Sequence, residues 1–110
     1  MTRNYRLTPS AKKDLREISH YTIKEWGIEQ DKKYMSLLDM YFDNIGKGET
    51  VERLFKDAGP GIYVKHCEHH FVFYLRERSS RAVIFAVLHE QMDLITRLKK
   101  RLLSLKEQVD

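Results

Sequence analysis

The chain has a single cysteine and no long apolar run among its 110 residues. One cysteine cannot form an internal disulfide bond. The longest apolar run, AVIFAVL at residues 82–88, is far shorter than the roughly 20 residues that a membrane-spanning helix needs. The first ten residues, MTRNYRLTPS, lack the apolar segment of a secretory signal. We therefore expect a cytoplasmic protein that uses neither a membrane nor disulfide bonds.

Positive charge is in modest excess. Lys and Arg number 20 against 16 Asp and Glu, which gives a net charge of +4 and an isoelectric point near 9.2. A hydrophobic content of 42% and a charged content of 33% predict one globular domain spanning residues 1–110. The basic excess is compatible with an acidic partner such as nucleic acid, the ribosome or an acidic protein segment, and equally with an ordinary solvated surface.

The first half of the sequence has the pattern of a strand followed by two helices. Polar and apolar residues alternate over residues 3–8, which predicts a short strand. Thr8 and Pro9 are typical of a helix start, and Gly27 of its end. The apolar face of this first helix comprises Ala11, Leu15, Ile18, Thr22 and Trp26. A second helix is predicted from about Glu29 to Ile45, ended by Gly46, so that the two form an antiparallel hairpin. Its inner face comprises Tyr34, Leu37, Leu38, Tyr41, Phe42 and Ile45.

The second half has the pattern of a loop and three strands. Residues 46–61 contain four of the five glycines and predict a surface loop with a helical turn around Val51–Phe55. Strand-like runs cover residues 62–67, 70–77 and 81–89, and the spacers between them suit hairpin turns. The predicted class is α+β, with an N-terminal strand and a helical hairpin packed on an antiparallel sheet of three further strands. We expect Trp26 and Phe42 to cover one face of that sheet.

A basic amphipathic helix is predicted at residues 93–109, with Asp93 as its cap. Its apolar stripe comprises Ile95, Leu98, Leu102, Leu105 and Val109. Docking of this stripe on the chain's own sheet is the favoured expectation, with a partner as the alternative. In either case we expect Arg97, Lys100 and Arg101 to face outward.

Several segments together resemble the ParE branch of the RelE/ParE toxins. They are LTPSAKKDLREISHYTIKEWG at the start, GIYVKHCEHHFVFYL around the strand pair, and VIFAVLHEQMDL near the end. An A-x-x-D-L-x-x-I pattern is formed by Ala11, Asp14, Leu15 and Ile18, and an L-H-x-x-M-D ending spans Leu88–Asp93. The resemblance covers residues 5–94 and implies the same order of elements as the periodicity.

The resemblance also implies a function by binding. ParE proteins are the toxin halves of bacterial type II toxin–antitoxin pairs, and the target implied for this branch is DNA gyrase. The implied partner is a ParD-like antitoxin, whose acidic, flexible C-terminal segment wraps the toxin in a hetero-oligomer. No cofactor is implied. The candidate residues for binding target or antitoxin are His89, Met92, Asp93, Arg97, Lys100 and Arg101.

The stretch VKHCEHHF at residues 64–71 raises the question of a metal site. A zinc ion needs three or four ligands around one point, whereas successive side chains on a strand point to opposite faces. His66 and Cys67 therefore diverge, as do His69 and His70. We predict no metal ion and interpret residues 66–69 as a solvated hairpin. Cys67 has no evident cationic partner that would make it a nucleophile.

A catalytic alternative is a ribosome-dependent mRNA endonuclease of the RelE branch. Cleavage by the 2′-hydroxyl needs a base, an acid and cations near the phosphate. The candidate catalytic residues are Lys65, His70, Arg81 and His89. Against this reading, His70 stands where RNA-cutting relatives carry an arginine, and the tail EQMDL after His89 is not basic. We favour a structural role for His89, in which its ring bonds to the backbone at the start of the last helix.

Overall fold

The computed structural model describes residues 4–49, 51–78 and 80–109, with side chains up to Leu105 in the last range. Its elements follow in chain order: β1 Tyr5–Leu7, α1 Pro9–Trp26, α2 Ile28–Lys47, β2 Arg53–Leu54, a 3-10 turn Lys56–Ala58, β3 Tyr63–Cys67, β4 His70–Arg76, β5 Ala82–His89 and α3 Leu94–Val109. The α+β prediction is confirmed. Among the described residues, no helix combines the length and apolar character of a membrane span.

One mixed sheet of five strands organises the described part of the chain, in the order β1-β5-β4-β3-β2. Strands β3, β4 and β5 form the predicted antiparallel meander. Strand β1 pairs with β5 in parallel, from Tyr5 opposite Ala82 to Leu7 opposite Ile84. The parallel pairing is possible because the whole helical hairpin lies between β1 and the meander, which gives the chain length to cross over.

The predicted helix start is confirmed. The Thr8 side chain accepts a hydrogen bond from the Ala11 amide at 3.2 Å, and Pro9 occupies the first helical position. The expectation that Trp26 lies in the core is wrong, because its exposed fraction is 71%. Tyr34 of α2 bonds to His70, the first residue of β4. The turns of α2 before Tyr34 and the end of α1 therefore extend beyond the sheet, which leaves Trp26 without a surface to cover.

Helix α2 does not end at Gly46, as predicted, but continues to Lys47, and Gly48 caps it in a left-handed conformation with φ of 73°. Gly46 is instead a point of close packing. A Cβ atom at this position would lie 3.0 Å from the backbone carbon of Asn4. The glycine at position 46 therefore allows α2 to approach the residue just before β1. The helix ends two residues later, where Gly48 supplies the left-handed cap.

The predicted helical turn around Val51–Phe55 is also wrong. Residues Arg53–Leu54 form the edge strand β2, which pairs with Tyr63 and Val64 of β3. The Phe55 amide donates to the Ile62 carbonyl at 2.7 Å, and the Phe55 ring packs edge-on against Phe73 with centroids 5.3 Å apart. Pairing at the sheet edge and partial burial of this ring favour the extended chain over a turn of helix.

Two layers cover the sheet. On one face, Val72, Tyr74 and Ile84 pack with Leu38 and Phe42 of the helical hairpin. The other face packs against α3, and this cluster includes Ile62, Val64, Phe73, Phe85, Ala86, Leu88, Leu98 and Leu105. The side chains of β4 alternate between the two clusters, with Val72 and Tyr74 in the first and Phe73 in the second. A bulge in β5 leaves Phe85 without a partner, since Phe73 lies opposite Ala86 and Tyr74 opposite Ile84.

Gly46→Ala tests the close approach of α2 to Asn4. Alanine favours a helix interior, but its Cβ would meet backbone that cannot rotate away. We expect the free energy of unfolding to fall by about 1–3 kcal/mol, measured by urea denaturation. Ser36→Ala, at an exposed position of the same helix, is the control and should be neutral or slightly stabilising. Equal effects of both substitutions would contradict the packing argument.

Candidate functional site

Helix α3 docks on the chain's own sheet, as expected. Asp93 caps its start, accepting hydrogen bonds from the Thr96 amide at 3.2 Å and the Thr96 hydroxyl at 2.8 Å. These bonds hold the pKa of Asp93 below its usual value. Leu98 and Leu105 are buried against the sheet, and Leu102 packs beside them. The predicted stripe is wrong at Ile95, which is 44% exposed. The side chain of Val109 lies outside the described residues.

The outer side of α3 is basic with apolar positions between the charges. Arg97, Lys99 and Lys100 are exposed, and Met92, Ile95 and Leu103 are large apolar side chains that the fold leaves in solvent. The expectation that Arg97 and Lys100 face outward is therefore confirmed. The name outer face of α3 is used below for this exposed surface, which comprises Met92 in the turn before the helix and Ile95, Arg97, Lys99, Lys100 and Leu103 on it.

Arg101 does not face outward, and that expectation is wrong. Its guanidinium forms two hydrogen bonds with the Asp14 carboxylate, at 2.8 and 2.9 Å, and a third with the Phe85 carbonyl at 2.8 Å. The side chains of Arg101 and Asp14 are only 19% and 11% exposed. A planar guanidinium meets a carboxylate through two parallel bonds, so this pair fixes Arg101 between α3, α1 and β5.

Asp14 is a functional candidate that sequence reasoning missed. Besides Arg101, its carboxylate accepts the Val87 amide at 3.0 Å. The sequence does contain an indication of its role. Asp14 lies within the apolar face of α1 formed by Ala11, Leu15 and Ile18, where a charge without a partner would be costly. The sequence pattern could not predict which residue pairs with Asp14, because Arg101 lies 87 residues further along the chain.

The histidines form a hydrogen-bonded group at the end of the sheet. His70 and His89 lie opposite each other on β4 and β5, with ring centroids 5.2 Å apart. The Tyr34 hydroxyl accepts the His69 amide at 3.3 Å and lies 2.6 Å from His70 Nδ1. The Tyr34 hydroxyl thus links the His70 ring to the backbone of the preceding residue, His69. Burial first, then the neighbouring His89 and His69, lowers the pKa of His70 to about 4.

The structural interpretation of His89 fits its contacts. Its Nδ1 accepts the Gln91 amide at 3.1 Å, and its carbonyl accepts the Met92 amide at 3.0 Å. Both bonds lie in the turn that leads into α3. Next to this turn, Glu90 contacts His66 at 2.9 Å and His69 at 3.4 Å. These two rings hold the pKa of Glu90 below its usual value.

The four residues of the catalytic alternative are not brought together. His70 and His89 are adjacent, and Lys65 lies opposite Val72, two residues along β4 from His70. Arg81, however, precedes the first residue of β5, whereas His89 is the last, a separation of about 26 Å along a strand. The Nδ1 atoms of both histidines are already engaged in hydrogen bonds, that of His70 with the Tyr34 hydroxyl and that of His89 with the Gln91 amide. The arrangement fixes the two rings and leaves neither Nδ1 free to accept a substrate proton.

The hairpin at residues 66–69 is only partly solvated, which corrects the prediction. His66 and His69 are exposed, but Cys67 is fully buried in the core beneath the helical hairpin. Burial raises the pKa of the Cys67 thiol to about 12, although the nearby Lys65 acts in the opposite direction. The described residues contain no group of three or more His, Cys, Asp or Glu side chains placed to hold a metal ion.

Residues 5–94 match the family described as the ParE toxin of the type II toxin–antitoxin system, parDE. The chain is 40% identical over 98 residues to Toxin ParE of Escherichia coli, covering 89% of this chain and 95% of that protein. It is 34% identical over 96 residues to Toxin ParE1 of Caulobacter vibrioides, with 81% and 91% covered. Toxin ParE1 of Mycobacterium tuberculosis is 28% identical over 94 residues, with 86% and 96% covered.

The fold and these similarities define a toxin of a type II toxin–antitoxin system. Within that class, the chain belongs to the ParE toxin family. The match begins at β1 and ends at Leu94, the first residue of α3. It thus includes Asp14 and the histidine group, whereas most of the outer face of α3 lies beyond it.

Cys67 should be unreactive in the folded protein, because its thiol is buried and its pKa is raised to about 12. We expect iodoacetamide at pH 8 to leave the native chain unmodified, since the thiolate is the reacting species. The same treatment in concentrated urea should add one carbamidomethyl group, detected by mass spectrometry. Rapid modification of the native chain would contradict the burial of this thiol.

His70 should make the protein sensitive to acid. Its folded-state pKa of about 4 lies below the ordinary histidine pKa of 6.5, so the unfolded chain binds more protons between these two pH values. The contribution of His70 to the free energy of unfolding is therefore fully present above pH 6.5 and is lost as the pH falls towards 4. Between pH 7 and 4.5 we expect a loss of about 2 kcal/mol from this group. His70→Gln should flatten the pH dependence of urea denaturation, whereas His20→Gln, at an exposed position, should not.

Proposed function

We propose that this chain inhibits DNA gyrase by binding, with the outer face of α3 as the contact surface. Gyrase is the target that the resemblance to the ParE branch implies. The observation that carries the proposal is the position of α3, whose leucines are buried on the sheet while Arg97, Lys99 and Lys100 remain exposed. Because these charges lie in solvent without a role in the core, they are available to gyrase with its bound DNA.

The proposal includes a ParD-like antitoxin as the neutralising partner. A flexible, acidic C-terminal segment of the antitoxin would complement the same basic surface and would bury the exposed Met92, Ile95 and Leu103. Such a segment becomes ordered on binding and wraps a large area. Toxin and antitoxin would then form a hetero-oligomer in the cytoplasm, where gyrase acts, and target and antitoxin would exclude each other from α3.

Induced expression without antitoxin tests the target. We expect replication to stop, the SOS response to be induced and cells to form filaments. The purified protein should inhibit supercoiling by purified gyrase, and pre-incubation with the antitoxin encoded by the neighbouring reading frame should relieve the inhibition. Cleavage of ribosome-bound mRNA within minutes, with gyrase activity unchanged, would reject the proposal in favour of an endonuclease.

Replacing Arg97 and Lys100 together by Ser tests the surface. Both side chains are exposed, so the melting temperature should hardly change, while the concentration for half-inhibition of gyrase should rise on the order of tenfold at low salt. Added salt screens surface charges, so the difference from the wild-type chain should shrink as salt increases. The matched control replaces Lys12 and Lys13, exposed on α1, by Ser. An equal loss in this control would show that only net charge matters.

A further inference from the structure

The outer edge of β5 is only partly paired within the sheet. Strand β1 covers Ala82–Ile84, and the Thr8 amide adds a bond to the Ile84 carbonyl at 3.0 Å. The chain then turns into α1, whereas β5 continues to His89. Beyond Ile84, the Phe85 carbonyl and the Val87 amide bond to side chains instead of to a strand. Their partners are Arg101 and Asp14 respectively.

Asp14 and Arg101 therefore join three elements at one point. Each side chain bonds to the other and also to the backbone of β5. Charge-assisted bonds of this kind are short and directional. The leucines of α3 contribute hydrophobic attraction, which is not directional, and on their own they would tolerate rotation or sliding of the helix on the sheet.

The position of the pair along α3 matters as well. The first turn of α3 is anchored by Asp93, through its bonds to Thr96. Arg101 lies two turns further on and supplies a second fixed point, and two fixed points define the direction of a helix. The outer face begins at the first anchor, and Arg97, Lys99 and Lys100 lie between the two.

We propose that the Asp14–Arg101 pair is a tether that positions α3, and that toxicity depends on Asp14 although Asp14 does not contact the target. The inference rests on the proposed function in that α3 is taken as the contact surface. Asp14 and Arg101 are thus positioning residues, and Arg101 acts from the inner side of α3. The A-x-x-D-L-x-x-I pattern then combines two roles, because its apolar positions build the core and its carboxylate orients the last helix.

Asp14→Asn removes the charge with almost no change in shape. The matched control is Glu77→Gln, which removes the carboxylate from a pair with Arg6 of β1 at 2.8 Å and so breaks an ion pair in which α3 takes no part. We expect hydrogen–deuterium exchange of α3 amides to accelerate in Asp14→Asn and to remain unchanged in the control. Growth arrest on induction should need about tenfold more protein for Asp14→Asn, whereas the control should act as the wild-type chain does. Gyrase inhibition should follow growth arrest.

Arg101→Lys keeps the charge but not the paired donors, and it should give an intermediate loss. This second variant decides the matter if Asp14→Asn does not fold at the temperature of the assay. In the background where Arg97 and Lys100 are both Ser, Asp14→Asn should add little further loss, because the face that it positions is already impaired. A merely structural role would instead give additive losses that follow the melting temperature.

Each remaining outcome is informative. Unchanged exchange in α3 of Asp14→Asn would reject the tether, and faster exchange with unchanged growth arrest would reject its role in positioning. If the wild-type chain arrests growth but does not inhibit gyrase, the proposed target fails, and growth arrest still tests the tether. A wild-type chain that neither arrests growth nor inhibits gyrase would reject both proposals.

Discussion

Burial of β5 on both faces is the constraint on which the rest of the structure depends. Its residues 82–88 are all buried, and an apolar strand of this kind needs a layer on each side. The helical hairpin supplies one layer and α3 the other. The hairpin precedes the meander in the chain and α3 follows it, so the elements before and after the three strands each supply one of the two layers that cover β5. The bulge at Phe85 adds to the second layer by turning two successive side chains, Phe85 and Ala86, towards α3.

Much of the fold could be predicted from the sequence, because its longer elements have clear periodicity and clear end signals. Thr8, Pro9 and the alternation in β4 are local features, and each behaves in the structure as its local chemistry indicates. The failures concern properties that are not local. Trp26 continues the helical stripe correctly, but the sheet beneath it has already ended. Strand β2 has two residues, which is too short to show an alternation of polar and apolar side chains. It forms because the edge of β3 provides backbone hydrogen-bonding partners.

The candidate site was predictable in outline and not in detail. The apolar stripe indicated that α3 docks, and the charges around it indicated an exposed basic face. Which basic residue would turn inward depended on Asp14, and nothing between the two positions in sequence relates them. Cys67 and His70 are residue types that often act in catalysis or metal binding. In this fold Cys67 is buried in the core, and His70 is buried and hydrogen-bonded to Tyr34, so both have structural roles. On α3, by contrast, Arg97, Lys99 and Lys100 are exposed, and the proposed function by contact rests on these side chains.

The pairing of β1 with β5 has a consequence for synthesis of the protein in the cell. Tyr5 meets Ala82, and the contact between Asp14 and Arg101 spans 87 positions. The helical hairpin is made first, but the sheet on which it packs cannot close until β5 has been made, and α3 cannot dock until it has emerged from the ribosome. Contacts so distant in sequence close late in folding. A nascent chain from which β5 and α3 have not yet emerged therefore cannot form the pairing of Tyr5 with Ala82 or the bond between Asp14 and Arg101.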